Sequence, residues 1–453
     1  MATTEFIAAI EIASSRISGI AGRRNSDGSI QVLAHACKES ASFVRKGIIY
    51  NIDKAAQALR DMVDKLNAQL EGCVAKVYVG IGGQSMHTVK NTVERPVEGG
   101  KVTSELVDSL CDENRECPLE GKDILDVAPQ EYVIDNMRYV EPVGVSGQHI
   151  VGNFLNIVAC SDLQRRLNQS FGQARVEIAD LMVAPMALAR GVLSENDLRA
   201  GCALVDFGAG TTTVAVYKDS LLRYLCVIPL GGESITRDIM SLRLEQHVAE
   251  ALKLQYGRAV APEEEEEDSE CRCEDGTVIR RQELDNLVEA RVEEILLNVK
   301  QQIGVSGYSA SLYSGVVLTG GGSSLKEMET AFKRFTGMEK VRTAQSVQTA
   351  VHGFQETLHD PRQFTLLSLL MAGHENCCQL PDTAPGTLFN EDEMTPEAPI
   401  GNVVADNDTR KPDRQTGNKS GGSNSSKEEK KEKKNPFKDI FNKMGSLFDD
   451  EPM

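Results

Sequence analysis

Tryptophan is absent from the 453 residues, and aromatic residues make up only 5%. That scarcity excludes no function by itself, but other absences do. No run of about 20 apolar residues occurs, so the sequence predicts no membrane-spanning helix. The N-terminal MATTEFIAAIEIASSR has no basic residue ahead of its apolar run and carries Glu5 and Glu11 within it, which argues against a secretory signal. The 11 cysteines form no ladder and no C-x-x-C pair. Cys271/Cys273 and Cys377/Cys378 are the tight pairs, and reduced thiols of a cytoplasmic protein are preferred over a zinc site. Positive charge is also short: 49 Lys and Arg face 67 Asp and Glu, a net charge of -18. Such a surface repels nucleic acid, which is not expected as a partner, and meets anionic lipid only through a local basic patch. Among nucleotide signatures, neither G-x-x-x-x-G-K-[ST] nor a G-x-G-x-x-G after the first strand is present.

The length and an apolar fraction of 41% fit two or more folded domains. Alternating and helical apolar spacing then orders the chain. A strand over 6–12 leads through a small-residue turn to another near 17–21. A helix follows over 53–70, with Asp53 as its expected cap, then a strand over 77–81 closed by Gly82-Gly83. Residues 84–165 are strand-rich and read as a small inserted domain. Strand, helix and turn signals resume to about 372, with a long helix carrying Leu284, Leu287, Val288, Ile295, Leu296 and Val299. Residues 261–276 (APEEEEEDSECRCEDG) read as a surface loop, because consecutive glutamates repel one another. Residues 379–434 read as a disordered linker rich in Pro, Gly, Asn, Asp, Ser and Lys.

Three turns suggest chemistry. In ALVDFGAGTTTVAVY an apolar strand ends in Asp206 before Gly208, Gly210, Thr211 and Thr212. Glycines let a backbone approach a ligand and turn its N–H groups into an anion cradle. A carboxylate beside that cradle repels phosphate unless a Mg²⁺ ion stands between them. IAAIEIASSRISGI repeats the device more weakly, with Glu11 followed by Ser14 and Ser15. TGGGSSLKEM places Gly320, Gly321, Gly322 and Ser323 between a strand and a helix, which suits a nucleoside or its phosphates. A glycine-rich hairpin with a surface acid is the bland alternative for the first of these, and the three together weigh against it.

The C-terminal NPFKDIFNKMGSLFDD carries Phe437, Ile440, Phe441, Met444, Leu447 and Phe448 on one helical face. Lysines at 427, 430, 431, 433 and 434 precede it. Such a helix suits a lipid interface, or alternatively a groove on a protein partner.

The segments IEIASSRISGIAG, LVDFGAGTTTVAVY and SGVVLTGGGSSLKEM resemble the two phosphate motifs and the adenosine motif of the actin-like ATPases. APQEYVIDNMRYVEPVGVSG, VIPLGGESITRDI, LKLQYGRA and the C-terminal helix narrow the resemblance to the FtsA family of bacterial cell-division proteins. It covers residues 5 to about 371 and resumes at 435–448. It implies an α/β, two-lobed actin-like fold with a subdomain 1C in place of 1B. Subdomain 1A would be 1–84, 166–198 and 345–371; 1C would be 85–165. Subdomain 2A would be 199–235 and 301–344; 2B would be 236–300. Residues 372–434 would be linker and 435–448 the membrane-targeting helix.

ATP and Mg²⁺ are the implied cofactors. Glu11 and Asp206 would attend the metal. Ser14 and Ser15 would line the first phosphate loop, and Gly208, Gly210, Thr211 and Thr212 the second. Gly231 and Gly232 would lie near the cleft base, Glu283 near the ribose or adenine, and Gly320–Ser323 at the adenosine. Gln255 or Arg258 would approach the same side. The first loop departs from the superfamily pattern: Glu11 replaces an aspartate and Ala13 a glycine, so at most weak hydrolysis is expected. The implied role is a polymer on the cytoplasmic face of the inner membrane at the division site. It would bind the C-terminal peptide of FtsZ through 2B, self-associate, hold lipid through its terminal helix, and recruit later division proteins. A sugar or acid kinase of the same superfamily is the alternative, disfavoured by the linker and terminal helix. An Hsp70-like chaperone would need a β-rich peptide-binding domain for which too little chain remains.

Overall fold

The computed structural model describes residues 5–262, 270–273, 276–353 and 359–379. The linker beyond 379, the terminal helix expected over 435–448 and most of the acidic run lie outside these. Two large sheets organise the rest. The first has six strands, in the order Glu177–Val183, Lys76–Ile81, Ile7–Ile12, Arg16–Arg24, Ile30–Glu39 and Val351–His352. Its inner strands are buried on both faces because helices cover them: Ile7, Ala8, Ala9 and Ile10 are all buried. Helix Phe364–Ala372, apolar around its circumference, packs among these strands and against helix Ala184–Val192. That helix approach is close enough that a Cβ on Gly191 would lie 1.9 Å from Ser368 Oγ.

The second sheet has nine strands, in the order Met137–Tyr139, Lys122–Ile134, His149–Cys160, His87–Pro96, Leu221–Ile228, Thr212–Lys218, Cys202–Phe207, Gly315–Thr319 and Val341–Thr343. Its last five strands carry the second lobe. Long helix Arg281–Val305 packs there through Leu284, Val288, Val292, Ile295, Leu296, Val299 and Ile303, an apolar stripe at helical spacing. Its first four strands are the insert, which has its own core around Phe154, Tyr132, Leu110 and Ile150. Two strands of the first sheet, Lys76–Ile81 and Glu177–Val183, flank the insert in sequence and pair in parallel.

Several expectations change. The helix expected over 53–70 is Ile52–Asn67, and its cap is Asn51, whose side chain accepts from Lys54 N at 3.0 Å; Asp53 lies in the first turn. The inserted sheet ends at Cys160. Helix Ser161–Ala174 packs on Ile52–Asn67 in the first lobe, so the insert closes before the edge expected at 165. The expected surface loop 261–276 is in part a hairpin, Glu270–Arg272 with Val278–Arg280, whose central Cys271 is buried. The chain also stays on the body past 372. Cys377 N donates to Phe6 O at 2.8 Å, and Cys378–Gln379 pairs with Cys73–Val74. The buried apolar Cys377 outweighs the polar residues around it. No helix among the described residues is long and apolar enough to cross a membrane.

Candidate functional site

Two hairpins face each other. In the first lobe Ile7–Ile12 runs antiparallel to Arg16–Arg24, with Glu11 opposite Ser18; Ala13 N donates to Arg16 O at 3.0 Å and closes the turn. In the second lobe Cys202–Phe207 runs antiparallel to Thr212–Lys218, with Asp206 opposite Thr213; Gly208 N donates to Thr211 O at 2.9 Å. The turns touch: a Cβ on Gly210 would lie 2.6 Å from Ser14 Oγ. The third turn follows strand Gly315–Thr319, which lies parallel to Cys202–Phe207 and places Thr319 beside Asp206. Gly320 has φ +80°, and a Cβ there would sit 2.2 Å from Asp206 Oδ1, so glycine is required twice over.

Together these turns line a cleft of about 960 Å³. Glu11, Ser14, Ser15, Asp206, Gly208, Thr211, Gly231, Gly232, Gly320, Gly321 and Gly322 all reach its wall. Six expected residues do not. Gly210 packs on Ser14. The Thr212 hydroxyl is buried and donates to Leu230 O at 2.9 Å. The Ser323 hydroxyl donates to Gly320 O at 2.7 Å, while its neighbour Ser324 lines the cleft. Glu283 pairs with Arg280 and stands off the cleft, because the first turn of its helix lies beside the hairpin Glu270–Arg280 instead. Gln255 and Arg258 also lie off the wall, though Lys326, which reaches it, donates to Gln255 O at 3.5 Å.

Glu250 and Lys253 were missed. They lie a turn apart on helix Gln246–Tyr256 and line the cleft. Lys253 Nζ donates to Gly232 O at 3.1 Å, Thr236 Oγ1 at 2.9 Å and Glu250 Oε2 at 2.7 Å, tying that helix to the start of helix Gly232–Ile239. Their only sequence signal is an i,i+3 charge pair, which surface helices carry routinely. Arg362 lines the cleft as well, held by Asp360 and packed against Gly321. It comes from the far end of the chain with no motif around it.

The electrostatics single out the two acids. Burial, then the neighbouring Asp206 charge, pushes Glu11 up to about 8, with Arg16 partly offsetting this. Burial pushes Asp206 up to about 6. Two buried hydroxyls, Ser18 Oγ and Thr319 Oγ1, find no hydrogen-bond partner among the described residues and share register with these acids. Two neighbouring half-buried carboxyls on the wall of one cleft fit a site completed by a cation. Among the described residues no three His, Cys, Asp or Glu gather to cage a metal. A cation here would take its remaining oxygens from ligand and water. Glycine turns that no Cβ could enter fit the approach of a phosphate.

Comparison with known proteins agrees with this architecture. A family model described as "Cell division protein FtsA" matches residues 203–368, and one described as "SHS2 domain inserted in FTSA" matches 83–158, the inserted sheet. Together they span more than half of the chain. The FtsA of Porphyromonas gingivalis is 27% identical over 407 residues, covering 88% of this chain and 85% of the relative. That of Pseudomonas aeruginosa is 27% identical over 406 residues, covering 87% and 95%. Among solved structures, the PilM–PilN type IV pilus biogenesis complex superposes with a TM-score of 0.59 at 17% identity, covering 82% of this chain and 98% of the other, a likeness of fold alone. An actin-like two-lobed body, an SHS2 insert in the first lobe and relatives matched along nearly their whole length lead to one conclusion: the chain belongs to the FtsA family of cell-division proteins.

Proposed function

We propose that the cleft binds ATP with Mg²⁺, and that the protein self-associates on the cytoplasmic face of the cell membrane, tethers FtsZ filaments there and recruits later division proteins. One observation carries the nucleotide half: two half-buried acids close two strands, and each precedes a small-residue turn open to the same cleft. The amides of Ser14, Ser15, Ala209 and Thr211, with the hydroxyls of Ser14, Ser15 and Thr211, would hold the phosphates, while the Ala13 and Gly208 amides close their own turns. Gly320–Gly322, Ser324, Lys326, Glu250 and Lys253 would hold the nucleoside, with Gly231 and Gly232 at the base. Gly210, Thr212 and Ser323 would shape the turns from behind, and Glu283 has no part. Bound Mg²⁺ supplies the positive charge that lets carboxylates stand opposite a polyphosphate. Hydrolysis would be slow at most, since the Ala13 methyl keeps the first turn from closing as a glycine would.

Family membership supports the cell-division half, and the apolar stripe Phe437–Phe448 supports attachment to lipid. One marginal anchor per subunit gains strength when subunits join, because a second contact then becomes intramolecular. The FtsZ peptide would dock on 236–300. Two measurements test the reading. Pelleting with phosphatidylglycerol-containing vesicles and Mg-ATP should bring down the full chain and leave a chain ending at 434 in the supernatant; equal pelleting overturns the tether. In calorimetry Asp206→Ala should weaken Mg-ATP by at least about tenfold, a loss of about 1.4 kcal/mol. Unchanged affinity removes Asp206 from the site. No observation favours the kinase alternative, and turnover with a panel of sugars and acids would revive it.

A further inference from the structure

The inserted sheet belongs to the first lobe by covalent connection and to the second by hydrogen bonds. It leaves the first sheet after Lys76–Ile81 and returns before Glu177–Val183. Its strand His87–Pro96 meets the second-lobe strand Leu221–Ile228 at a single ladder pair, His87 with Cys226. The Thr88 hydroxyl extends that seam, accepting from Leu225 N at 3.1 Å and donating to Leu225 O at 3.3 Å. Gln130 completes it: Nε2 donates to Leu222 O at 3.0 Å, and Oε1 accepts from Arg223 at 3.2 Å.

Both sides of the seam lead back to the phosphate turns. On the first-lobe side Ser14 Oγ accepts from Gly47 N at 3.0 Å. Gly47 has φ +77°, and a Cβ there would lie 2.7 Å from Gly83 Cα. Gln84 N donates to Lys46 O at 3.0 Å, and the chain then enters the insert. On the second-lobe side strand Leu221–Ile228 runs into Gly231 and Gly232. Gly232 N donates to Gly208 O at 3.0 Å and Glu233 N to Ala209 O at 2.8 Å. Each side of the seam is thus tied by a short run of chain and hydrogen bonds to one of the two turns.

We infer that this seam couples occupancy of the cleft to the placement of the inserted subdomain, so that the insert reports to partners whether ligand is bound. The inference rests on the nucleotide reading above. The seam is small, one ladder pair and two side chains, so it can be broken without dismantling either lobe. Binding linkage is reciprocal. A partner that holds the insert in its ligand-bound placement must therefore raise affinity for the ligand by the same factor.

Hydrogen exchange of the full chain, with and without Mg-ATP, tests this beside calorimetry of the same samples. In the unmodified protein ligand should slow exchange by at least about fivefold at 206–213 and at 87–96. The pair Thr88→Val with Gln130→Ala, residues that do not line the cleft, should bind Mg-ATP within about threefold of normal and keep the response at 206–213 while losing it at 87–96. Thr88→Ser with Gln130 intact should retain it. Thr92→Val, on the same strand but bonded within the insert to Asn153, should also respond normally. If the double variant still responds at 87–96, or if bound ligand leaves 87–96 unchanged in the unmodified protein, the coupling is wrong while the nucleotide site stands. If calorimetry detects no binding at all, the nucleotide reading falls and the coupling with it.

Discussion

Glu11 is a half-buried carboxyl group beside another carboxyl, and the consequence is thermodynamic. Without ligand it keeps its proton in the folded chain up to about pH 8, whereas its ordinary value is 4.5. The folded state therefore binds more protons than the unfolded chain across that window. This contribution to stability is complete below 4.5 and is lost as pH rises through 8. Asp206 acts in the same sense between 3.8 and about 6. Through these two groups the melting temperature of ligand-free protein should fall from about pH 4 to about pH 8, and Glu11→Gln should flatten the part of that fall between about pH 6 and about pH 8. Binding of Mg-ATP near neutral pH should expel a proton, read as a dependence of the binding heat on buffer ionisation enthalpy. A binding heat independent of buffer would contradict a cation at Glu11. The acids themselves were legible in the sequence because each ends an apolar strand before small residues. Their meeting was not, since it depends on Thr319, Gly320 and the opposite hairpin coming together around them.

Among the elements, helix Phe364–Ala372 shows how closely the first lobe is packed. The run FTLLSLLMA has no polar face and so must be buried. Which helix it would meet, and how closely, could not be read from that run. The approach at Gly191 leaves no room for a methyl group against Ser368. Gly191→Ala should cost about 1–3 kcal/mol through overpacking, despite the better helix propensity of alanine, and urea unfolding would measure it. A neutral or stabilising result would mean that the two helices separate easily. Cap and loop chemistry was partly legible in the same way. Asn51 and Asp53 both suit a helix start, and only the backbone geometry decides for Asn51. The hairpin around Cys271 was hidden by the acidic run before it, because repulsion among the glutamates says nothing of the apolar side chain that follows.

At the scale of the whole molecule the cleft is shared. Its walls include Glu11, Ser14 and Arg362 from the first lobe and Asp206, Lys253 and Gly321 from the second, so a ligand there bonds to both lobes at once. A ligand that binds only the folded chain stabilises it by about 2.7 kcal/mol at a concentration of 100 Kd. Mg-ATP should accordingly raise the melting temperature of the body, and Asp206→Ala, at about tenfold weaker affinity, should cut that rise to about half. A full shift in the variant would place the ligand elsewhere. The nine-stranded sheet is the other property of this scale. No strand of the insert carries a pattern that announces a partner in the second lobe, because one ladder pair and two side chains leave no periodicity to read.

Local chemistry decided the strands, the long helices, the insert's existence and the three turns. Apolar period and glycine placement act within a few residues, so they can be read along the chain. The tertiary structure decided which turns meet, that Glu250, Lys253 and Arg362 join them while Glu283 does not, and that the insert bridges two lobes. Those outcomes depend on distances between segments hundreds of residues apart, and they are settled by packing and by the burial of charge, which no local spacing encodes.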